Sequence, residues 1–524
     1  MNSSTALNAS RRANELLGLA DGPTVDLIVI GGGITGAGIA LDAVTRGLSV
    51  ALVEKHDLAF GTSRWSSKLI HGGLRYLATG NVGIARRSAI EREILMSRNA
   101  PHLVSAMPQL VPLLPEMSRA SRGLVRVGFA AGDGLRKLAG TSASTLPRSR
   151  RIDARQAVVL SPTVRRVGLD GALLAYDGQL IDDARLVTAV ARTAAQHGAR
   201  ILTRVAASNA ARTSVTLTDT LTGESMDVAA RAVVNATGVW AGEVDESIRV
   251  RPSRGTHLVF DAKTFGNPTA ALTVPIPGEV NRFVFAMPEQ LGRVYLGLTD
   301  EDAPGPIPDV PRPTPSEISF LLDTVNTALD TSLGQEDVIG AYAGLRPLIE
   351  TGDRRAGAKG PEEGRSRTSD VSRDHAVVES PSGVISVIGG KLTEYRYMAE
   401  DVVDRAVTLR ALTAGACRTQ SLPLVGAPSN PVSELRSLAE LPGSMVARYG
   451  AEAPNVIARA GCDRPTDQVA DGIDVTRAEF EYAVTHEGAL TADDILDRRT
   501  RIGLVAEDRA RAEAAAAELL STAN

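Results

Sequence analysis

A glycine-rich turn between an apolar run and a helical pattern constrains the fold of this chain more than any other feature. Gly31, Gly33 and Gly36 form G-x-G-x-x-G after the run DLIVIG, and Glu54 closes a second apolar run, SVALVE, about twenty residues later. The first glycine permits the tight turn, the second lets a pyrophosphate approach the backbone, and the third lets the helix pack on the strand. This order predicts a dinucleotide site formed by Gly31, Gly33, Ile34, Thr35, Gly36 and the ribose-binding Glu54.

Two later segments favour FAD over a nicotinamide dinucleotide. RAVVNATGVWA and VISVIGGKLTEYRYM each carry an apolar strand and a glycine turn, and a long helical pattern follows the second. A strand that returns late in the chain can aim a helix N-terminus at the flavin pyrimidine ring, where negative charge develops on reduction. A plain strand, turn and helix with an exposed lysine stays the alternative. The predicted cofactor contacts in these segments are Ala236, Thr237, Gly238, Trp240, Gly389, Gly390, Lys391, Leu392 and Thr393.

The strand-like runs are spread over most of the chain, at 26–31, 49–54, 231–238 and 383–390. We therefore predict an α/β fold with a discontinuous Rossmann-like FAD-binding domain, an inserted α+β substrate domain and a C-terminal helical domain. The predicted ranges are 25–250 and 376–412 for the FAD-binding domain, 251–375 for the substrate domain and 413–524 for the helical domain. The polar run at 351–370 is predicted to be a surface loop, and the sequence assigns it no role.

Composition excludes several classes of function. The net charge is -4 over 524 residues, so no global field favours nucleic acid, and any anion site must be local. The chain has two cysteines, Cys417 and Cys462, which form no CxxC, so the sequence predicts no metal site. No run approaches the roughly twenty apolar residues of a transmembrane helix, so a membrane contact would have to be peripheral. The chain is predicted to be cytoplasmic.

The segment GTSRWSSKLIHGGLRYL (61–77) resembles the one that follows the second strand in FAD-dependent glycerol-3-phosphate dehydrogenases. The resemblance continues through IDDARL, RGTHLVF, YAGLRPL, SRDHAV, GGKLTEYR and HEGALTADDILDRRTRIGL, so it spans almost the whole chain. The hydroxyl-rich turn and the residues after it suit a phosphate chain or a flavin edge. This segment therefore adds as predicted cofactor contacts Thr62, Ser63, Ser66, Ser67, Lys68, His71, Gly72, Gly73 and Leu74.

The resemblance implies oxidation of sn-glycerol 3-phosphate to dihydroxyacetone phosphate, with hydride passing from C2 to flavin N5. A phosphate dianion suits planar guanidinium groups, and a substrate hydroxyl proton suits a base that titrates near neutrality. On this resemblance His257 is the first candidate for the base and His71 the second, and Lys391 lies near the flavin pyrimidine ring. The predicted catalytic residues are His257, Arg346 and Lys391, and the predicted substrate-binding residues are Arg75, Tyr76, His257, Arg346 and Arg373.

Residues 116–140 interleave apolar and basic side chains in the manner of a helix that lies in an anionic headgroup layer. A solvated basic face on a packing helix is the alternative reading. The resemblance implies an enzyme peripheral to the cytoplasmic face of the cell membrane, with a membrane quinone as electron acceptor, and it allows a homodimer. Relatives that pass electrons to oxygen leave a glycerol-3-phosphate oxidase as an alternative.

Two further alternatives stay open. An amine or amino-acid oxidase of the same flavoprotein superfamily would share the nucleotide motif, but its substrate would need one arginine and not a cluster. A flavin- or NAD-binding module that senses redox state without turnover would leave the arginine and histidine motifs as surface features. Turnover of glycerol 3-phosphate separates both from the main prediction.

Overall fold

The structure is a computed structural model that describes residues 4–73, 76, 81–277, 279, 282–349, 374–428 and 438–523. Within these ranges the strands are β1 Val25–Ile30, β2 Val50–Glu54, β3 Leu69–Ile70, β4 Val104–Pro112, β5 Arg150–Ile152, β6 Ala172–Leu180, β7 Arg200–Thr203, β8 Val205–Ser208, β9 Ser214–Asp219, β10 Ser225–Asn235, β11 Val250–Asp261, β12 Ala271–Pro275, β13 Phe283–Glu289, β14 Arg293–Gly297, β15 Glu301–Asp302, β16 Gly340–Ile349, β17 His375–Glu379 and β18 Ile385–Gly389. The α-helices are α1 Ala9–Ala20, α2 Ile34–Thr45, α3 Val82–Ile94, α4 Arg119–Leu138, α5 Ala154–Leu160, α6 Asp183–Gln196, α7 Ala241–Val244, α8 Pro315–Asn326, α9 Tyr395–Arg410, α10 Gly443–Tyr449, α11 Ala453–Ala458, α12 Arg477–Thr485 and α13 Ala506–Ala523.

The four strands predicted from apolar runs all lie in one sheet. Its order is β17-β18-β10-β1-β2-β7, and β18, β10, β1, β2 and β7 pair in parallel. Parallel strands are covered on both faces, which explains why the runs are continuously apolar and not alternating. The sheet therefore brings together segments from residue 25 to residue 389, and the predicted α/β fold with a Rossmann-like nucleotide-binding sheet is confirmed.

Strand β1 shows how this sheet is buried. Leu27 and Val29 pack with helices on one face of the sheet, whereas Ile28 and Ile30 pack into a second cluster on the other face. Successive side chains of a strand point to opposite faces, so a run without polar residues serves two layers at once. The strand order and this burial bring the carboxyl ends of β1, β2, β10 and β18 to one edge of the sheet.

A second, mostly antiparallel sheet has the order β15-β11-β14-β13-β12-β4-β6-β3, with β16 paired to β11 and β5 paired to β6. Strands β3 to β6 come from residues 69–180, which the sequence prediction assigned to the FAD-binding domain. The boundary predicted at residue 250 therefore does not separate the two sheets. The parallel pairing of β4 with β12 joins segments about 160 residues apart in the sequence. The residue pattern within either segment does not indicate which strand it pairs with.

The register of β11 against β16 determines which side chains share a face. His257 lies opposite Tyr342, Gly255 opposite Gly344, and Ser253 opposite Arg346. Since side chains alternate along a strand, this whole set faces one side of the sheet. The intervening Leu258 and Phe260 point to the other side, where they pack in one hydrophobic cluster with helix α8.

The C-terminal helices α10 to α13 pack in their own hydrophobic clusters and are joined to the first sheet by buried ion pairs. Arg185 in helix α6 pairs with Glu487, and Asp57 after β2 pairs with both Arg498 and Arg499. Each of these side chains is almost fully buried, so its charge is compensated by its partner and not by water. Among the helices of the described ranges, none has the length and apolar character needed to cross a membrane.

Candidate active site

A cavity of about 1040 Å³ lies between the carboxyl edge of the first sheet and one face of the second. Its volume is at the upper end of the range for ligand pockets, so it has room for an extended dinucleotide and a small substrate. The turns after β1, β2, β10 and β18 all contribute to its wall. The predicted residues that line it are Gly31, Gly33, Ile34, Thr35, Glu54, Thr62, Ser63, Ser66, Ser67, His71, Gly73, Tyr76, Ala236, Thr237, Gly238, Trp240, His257, Arg346, Gly389, Gly390, Lys391, Leu392 and Thr393.

Three residues predicted to contact the cofactor, Gly36, Lys68 and Gly72, do not line the cavity. A Cβ on Gly36 would lie 1.9 Å from the carbonyl oxygen of Gly31, so this glycine serves the packing of α2 on β1. The Lys68 backbone is left-handed, with φ 58°, and its ammonium lies in the interior, 2.9 Å from Asp183. The Gly72 N–H donates to the Asp177 carboxylate. Leu74, Arg75 and Arg373 lie outside the described residues.

The turn after β1 has the geometry of a phosphate cradle. Gly31 has φ +111°, and a Cβ there would lie 2.7 Å from the Ala236 carbonyl oxygen, so only glycine fits. Gly33 caps the N-terminus of α2, and the Ile34 N–H donates to Ser63 Oγ over 2.9 Å. Bare backbone and a helix N-terminus at the cavity wall suit a pyrophosphate.

Two backbone amides orient the Glu54 carboxylate towards the position of a ribose diol. Its Oε2 accepts from the Gly32 N–H over 2.6 Å and its Oε1 accepts from the His56 N–H over 2.9 Å. Burial raises the pKa of Glu54, while the two backbone donors oppose that shift by favouring the charged carboxylate. The carboxylate therefore faces the cavity with a fixed orientation, which is the arrangement a nucleotide ribose requires.

At the other end of the first sheet, Gly389 and Gly390 take left-handed φ angles of +78° and +83° and lead into α9. The next residue, Lys391, has its ammonium 2.9 Å from both Ser88 Oγ and Glu394 Oε1, and 3.9 Å from the ring centre of Tyr76. Burial lowers the pKa of Lys391, and Glu394 opposes that shift. Glu394 also accepts from Arg87 Nε over 3.1 Å, so one buried carboxylate serves two cations.

His257 lies in the wall of the cavity on strand β11 and is 1% exposed. Its Nε2 lies 2.9 Å from Ser67 Oγ, and its ring stacks on Tyr342 at 4.7 Å between centres. Burial, with the positive charges of Lys68 and Arg346, holds the pKa of His257 well below its usual value near 6.5. The imidazole is therefore neutral at neutral pH and able to accept a proton.

Arg346 lies two residue pairs along the same sheet face. Its guanidinium donates to Ser253 Oγ over 3.3 Å, to Asp300 Oδ1 over 3.2 Å and to the Thr299 carbonyl oxygen over 3.2 Å. Gly255 leaves room for this fork, since a Cβ there would lie 2.3 Å from Arg346 Nη2. The planar group is thus held at the cavity wall by contacts that fix its plane.

His71, the second candidate base, has a different environment from His257. Its side chain is 49% exposed, and its Nδ1 lies 3.6 Å from Asp177 Oδ2. Asp177 is in turn paired with Arg92 over 2.6 Å, and the guanidinium lowers the pKa of that buried carboxyl. The carboxylate is therefore already compensated by a strong cation, and His71 is the more solvated of the two histidines.

Sequence reasoning missed several residues of the wall. Trp65, which lines the cavity, lies inside the quoted segment GTSRWSSKLIHGGLRYL. Glu394 does not line the cavity but pairs with Lys391, and it lies inside GGKLTEYR. Neither residue was assigned a role from the sequence. Asp300 and Asp177 also line the cavity. Asp300 lies beside Arg346 and Asp177 beside His71 only because distant strands pair. The local sequence does not predict that pairing.

The comparisons with known proteins agree with this geometry. Residues 26–396 match the family model described as FAD dependent oxidoreductase, and residues 417–523 match the C-terminal domain of alpha-glycerophosphate oxidase. The chain is 75% identical over 518 residues to glycerol-3-phosphate dehydrogenase 1 of Mycobacterium tuberculosis, with 99% of both chains covered. It is 34% identical over 555 residues to the mitochondrial glycerol-3-phosphate dehydrogenase of Arabidopsis thaliana, covering 97% of this chain and 84% of that one.

Among solved structures, the chain resembles the glycerol-3-phosphate dehydrogenase of Bacillus halodurans in complex with FAD. The TM-score is 0.71 at 26% sequence identity, and the match covers 99% of this chain and 97% of the other. The glycine cradle, the oriented Glu54 carboxylate and the size of the cavity fit FAD as the cofactor. The chain belongs to the family of FAD-dependent glycerol-3-phosphate dehydrogenases.

Proposed function

We propose that this protein oxidises sn-glycerol 3-phosphate to dihydroxyacetone phosphate and passes the electrons to a membrane quinone. The observation that carries the proposal is that a neutral histidine and an anchored arginine line the same cavity as the turn at Gly389 and Gly390. When bound, FAD supplies the hydride acceptor, its N5, for the hydrogen on substrate C2. The protein supplies the groups that bind the phosphate and take the hydroxyl proton.

Arg346 is proposed to bind the substrate phosphate. Its fork is already fixed by Ser253, Asp300 and the Thr299 carbonyl oxygen, so little side-chain freedom is lost when an anion binds. A guanidinium matches two phosphate oxygens at once, which an ammonium cannot do. Tyr76 lines the same cavity as a hydroxyl donor, and Arg75 and Arg373 remain proposals from sequence.

His257 is proposed as the general base. The neutral imidazole shares a hydrogen bond with Ser67 Oγ through Nε2, and Ser67 itself lines the cavity. As hydride leaves C2, the hydroxyl on that carbon becomes acidic, and a base within hydrogen-bond reach can take its proton. Burial, together with the positive charges of Lys68 and Arg346, lowers the pKa of His257 and so keeps the imidazole unprotonated before each turnover.

Lys391 is proposed to stabilise the negative charge that develops on the cofactor. Its ammonium is held against Tyr76 and Ser88 by Glu394, at the turn that joins β18 to α9. A fixed cation in a site that excludes water stabilises developing charge more strongly than a mobile one.

Helix α4 supports the proposed membrane contact. Leu124 and Val127 are 49% and 67% exposed, and Arg126 is exposed on the same helix. Arg122 and Arg136, two of the basic residues predicted to face lipid headgroups, instead donate to carbonyl oxygens of the protein, of Leu114 and Thr141 respectively. The basic face is therefore smaller than the sequence suggests.

The cavity extends beneath this helix, and its wall there is apolar. Val125 and Phe129 of α4 pack against the cluster that contains Val111 and line the cavity, as do Phe283 and Phe285 of the second sheet. An apolar part of the wall next to an exposed apolar and basic helix suits a quinone that arrives from the bilayer. This arrangement favours a quinone over oxygen, since oxygen needs no such apolar surface.

Turnover tests the substrate and the acceptor together. The FAD-loaded protein is assayed with glycerol 3-phosphate and a soluble quinone, in parallel with free glycerol, with several amino acids, and with oxygen in place of the quinone. We expect turnover only when glycerol 3-phosphate is the substrate and the quinone is the acceptor. Equal rates with oxygen would make the protein an oxidase, and turnover of amino acids alone would overturn the substrate.

Charge reversal on α4 tests the membrane contact. Arg126→Glu replaces one favourable headgroup contact by repulsion, which we expect to weaken binding to vesicles of phosphatidylglycerol and phosphatidylcholine about tenfold or more, because each basic residue contributes about 1 kcal/mol at an anionic surface. Arg405→Glu, an exposed position of α9 with the same change of charge, is the matched control. Equal sedimentation of both variants with the vesicles would place the contact elsewhere.

A further inference from the structure

Few contacts fix the orientation of the His257 side chain. The imidazole makes one hydrogen bond, to Ser67, and its Nδ1 has no hydrogen-bond partner in the part of the chain that the structure describes. The other contact that orients the imidazole is its stacking on the Tyr342 ring, with 4.7 Å between the ring centres. The position of the base therefore depends on the position of Tyr342.

Tyr342 in turn packs on Trp65. The two rings are 5.6 Å apart with an interplanar angle of 27°, and the Tyr342 hydroxyl donates to the Ser66 carbonyl oxygen over 3.1 Å. The indole N–H of Trp65 makes no hydrogen bond to any described residue. The indole ring is fixed by packing, including the Arg64 guanidinium carbon 4.3 Å from its centre, and Tyr342 also contacts the ring of Tyr295. What lies against Trp65 therefore contributes to the positions of Tyr342 and His257.

Arg501, from the C-terminal domain, lies against Trp65. Its guanidinium carbon is 5.0 Å from the indole centre, and its side chain is 1% exposed. The group donates to the Arg64 carbonyl oxygen over 2.7 Å and pairs with Asp182 over 3.2 Å. A cation held over an aromatic face, with its charge compensated on its other side, fixes the ring as well as attracting it.

Several neighbouring contacts hold Arg501 and its partner Asp182 in place. Asp182 caps helix α6, and the next residue, Asp183, pairs with the buried Lys68. On the other side, Arg293 of β14 donates to the Arg501 carbonyl oxygen over 2.8 Å. Three motifs quoted from the sequence, GTSRWSSK, IDDARL and DRRTR, thus converge on one point behind the cavity wall.

We propose that Arg501 is a positioning residue for His257, acting through Trp65 and Tyr342, so that the C-terminal domain completes the back wall of the catalytic cavity. This rests on the proposed role of His257 as the base. It gives the C-terminal domain a function in the chemical step, although no residue from 438 to 523 lines the cavity itself.

The test compares Arg501→Gln with Arg499→Gln by stopped-flow reduction of the bound FAD with glycerol 3-phosphate, without oxygen and per FAD-loaded molecule. Both arginines lie in the same segment, both side chains are 1% exposed, and both pair with an aspartate. Within the described residues, however, Arg499 pairs with Asp57 and stacks on no aromatic ring of the wall. We expect the limiting rate to fall at least tenfold in Arg501→Gln and less than twofold in Arg499→Gln, with the substrate dissociation constant within about twofold in both, since Arg346 is untouched.

A second readout does not depend on turnover. The chain has two tryptophans, Trp65 and Trp240, so a Trp240→Phe background reports Trp65 alone. In the FAD-free protein, we expect Arg501→Gln to shift the Trp65 emission and Arg499→Gln to leave it unchanged. Arg501→Lys keeps the cation and should restore the limiting rate to within about threefold of the parent.

If Arg501→Gln does not fold, Trp65→Leu and Arg501→Lys carry the test. Where all fold, the double variant Arg501→Gln/Trp65→Leu should be no slower than the slower single variant, because both act along one path. Equal rates for Arg501→Gln and Arg499→Gln, or strictly multiplicative losses in the double variant, would overturn the positioning role. A parent enzyme whose flavin is not reduced at all would instead refute the proposed function.

Discussion

The nucleotide end of the cavity is built mainly from backbone atoms, whereas the end at His257 and Arg346 is built from side chains that distant segments bring together. At the first end, the turn at Gly31 and the amides that hold Glu54 lie within about 25 residues of one another. At the second end, Arg501 reaches the backbone of Arg64 across 437 residues of chain. One end is therefore local in sequence and the other depends on the whole fold.

This difference predicts different consequences of substitution. A backbone cradle binds its ligand through many small contacts, so the loss of one side chain weakens binding modestly. A catalytic wall made of single side chains has no substitute for each one, so the loss of one group acts on the rate or on substrate affinity directly.

The largest effect is expected at His257. His257→Gln removes the proposed base, and we expect the limiting rate of flavin reduction to fall roughly a hundredfold to ten thousandfold. Because the pKa of His257 is held below its usual value near 6.5, the neutral base is present above that lowered pKa, so the parent rate should be flat above about pH 6.5 and fall only at lower pH. A midpoint at or above 6.5 would contradict the neutral, buried imidazole.

The next effect is expected at Arg346. Arg346→Ala removes charge-assisted hydrogen bonds worth about 3 kcal/mol to the phosphate, which is about a hundredfold in kcat/KM, mostly through KM for glycerol 3-phosphate. Free glycerol should stay an equally poor substrate. Arg251→Ala is the matched control, since that arginine lies on β11, the strand paired with the β16 strand of Arg346, and forms an ion pair with Asp302 away from the cavity. Equal KM values for the two variants would remove Arg346 from the phosphate site.

A smaller effect is expected at the nucleotide end. Glu54→Gln retains the shape of the side chain but loses the charge of one hydrogen-bonded acceptor, so FAD should bind about tenfold more weakly. The limiting rate of flavin reduction, measured at saturating FAD, should stay within about twofold. A large loss of that rate would break the division between a binding end and a catalytic end.

The smallest effect is expected at Glu394, the carboxylate partner of Lys391. Glu394→Gln removes a buried negative charge and leaves Lys391 without its carboxylate partner, while Arg87 keeps its ion pair with Asp374. The reduced state of the flavin should therefore be favoured about fivefold more strongly, which raises the potential by about 20 mV for a two-electron couple. Spectroelectrochemical titration of the bound flavin measures this shift. An unchanged or lower potential would show that Lys391 does not act on the cofactor.

The sequence was sufficient for the parts of the fold that are local. A glycine turn between a strand and a helix has a short-range geometric cause, so the cradle at Gly31 and the turn at Gly389 could be predicted from their own segments. The four apolar runs could be assigned to one sheet because continuous burial is characteristic of parallel strands.

The second sheet and the back wall could not be predicted in this way. Nothing in the segments 104–112 and 271–275 indicates that they pair, because strand register is determined by the packed fold. Lys68 was predicted to contact the cofactor from its place in a motif, but a left-handed backbone turns its side chain towards Asp183. The role of Arg501 follows only from contacts among segments that the chain brings together.

An absorbance titration of the purified protein with glycerol 3-phosphate, in the absence of oxygen, tests most directly whether this cavity takes FAD at one end and the substrate at the other. We predict that the flavin band near 450 nm, at about the usual wavelength, is bleached by glycerol 3-phosphate and not by free glycerol, since the phosphate contacts are absent from glycerol. A flavin band that persists at saturating glycerol 3-phosphate would contradict the assignment of His257 and Arg346 to this substrate.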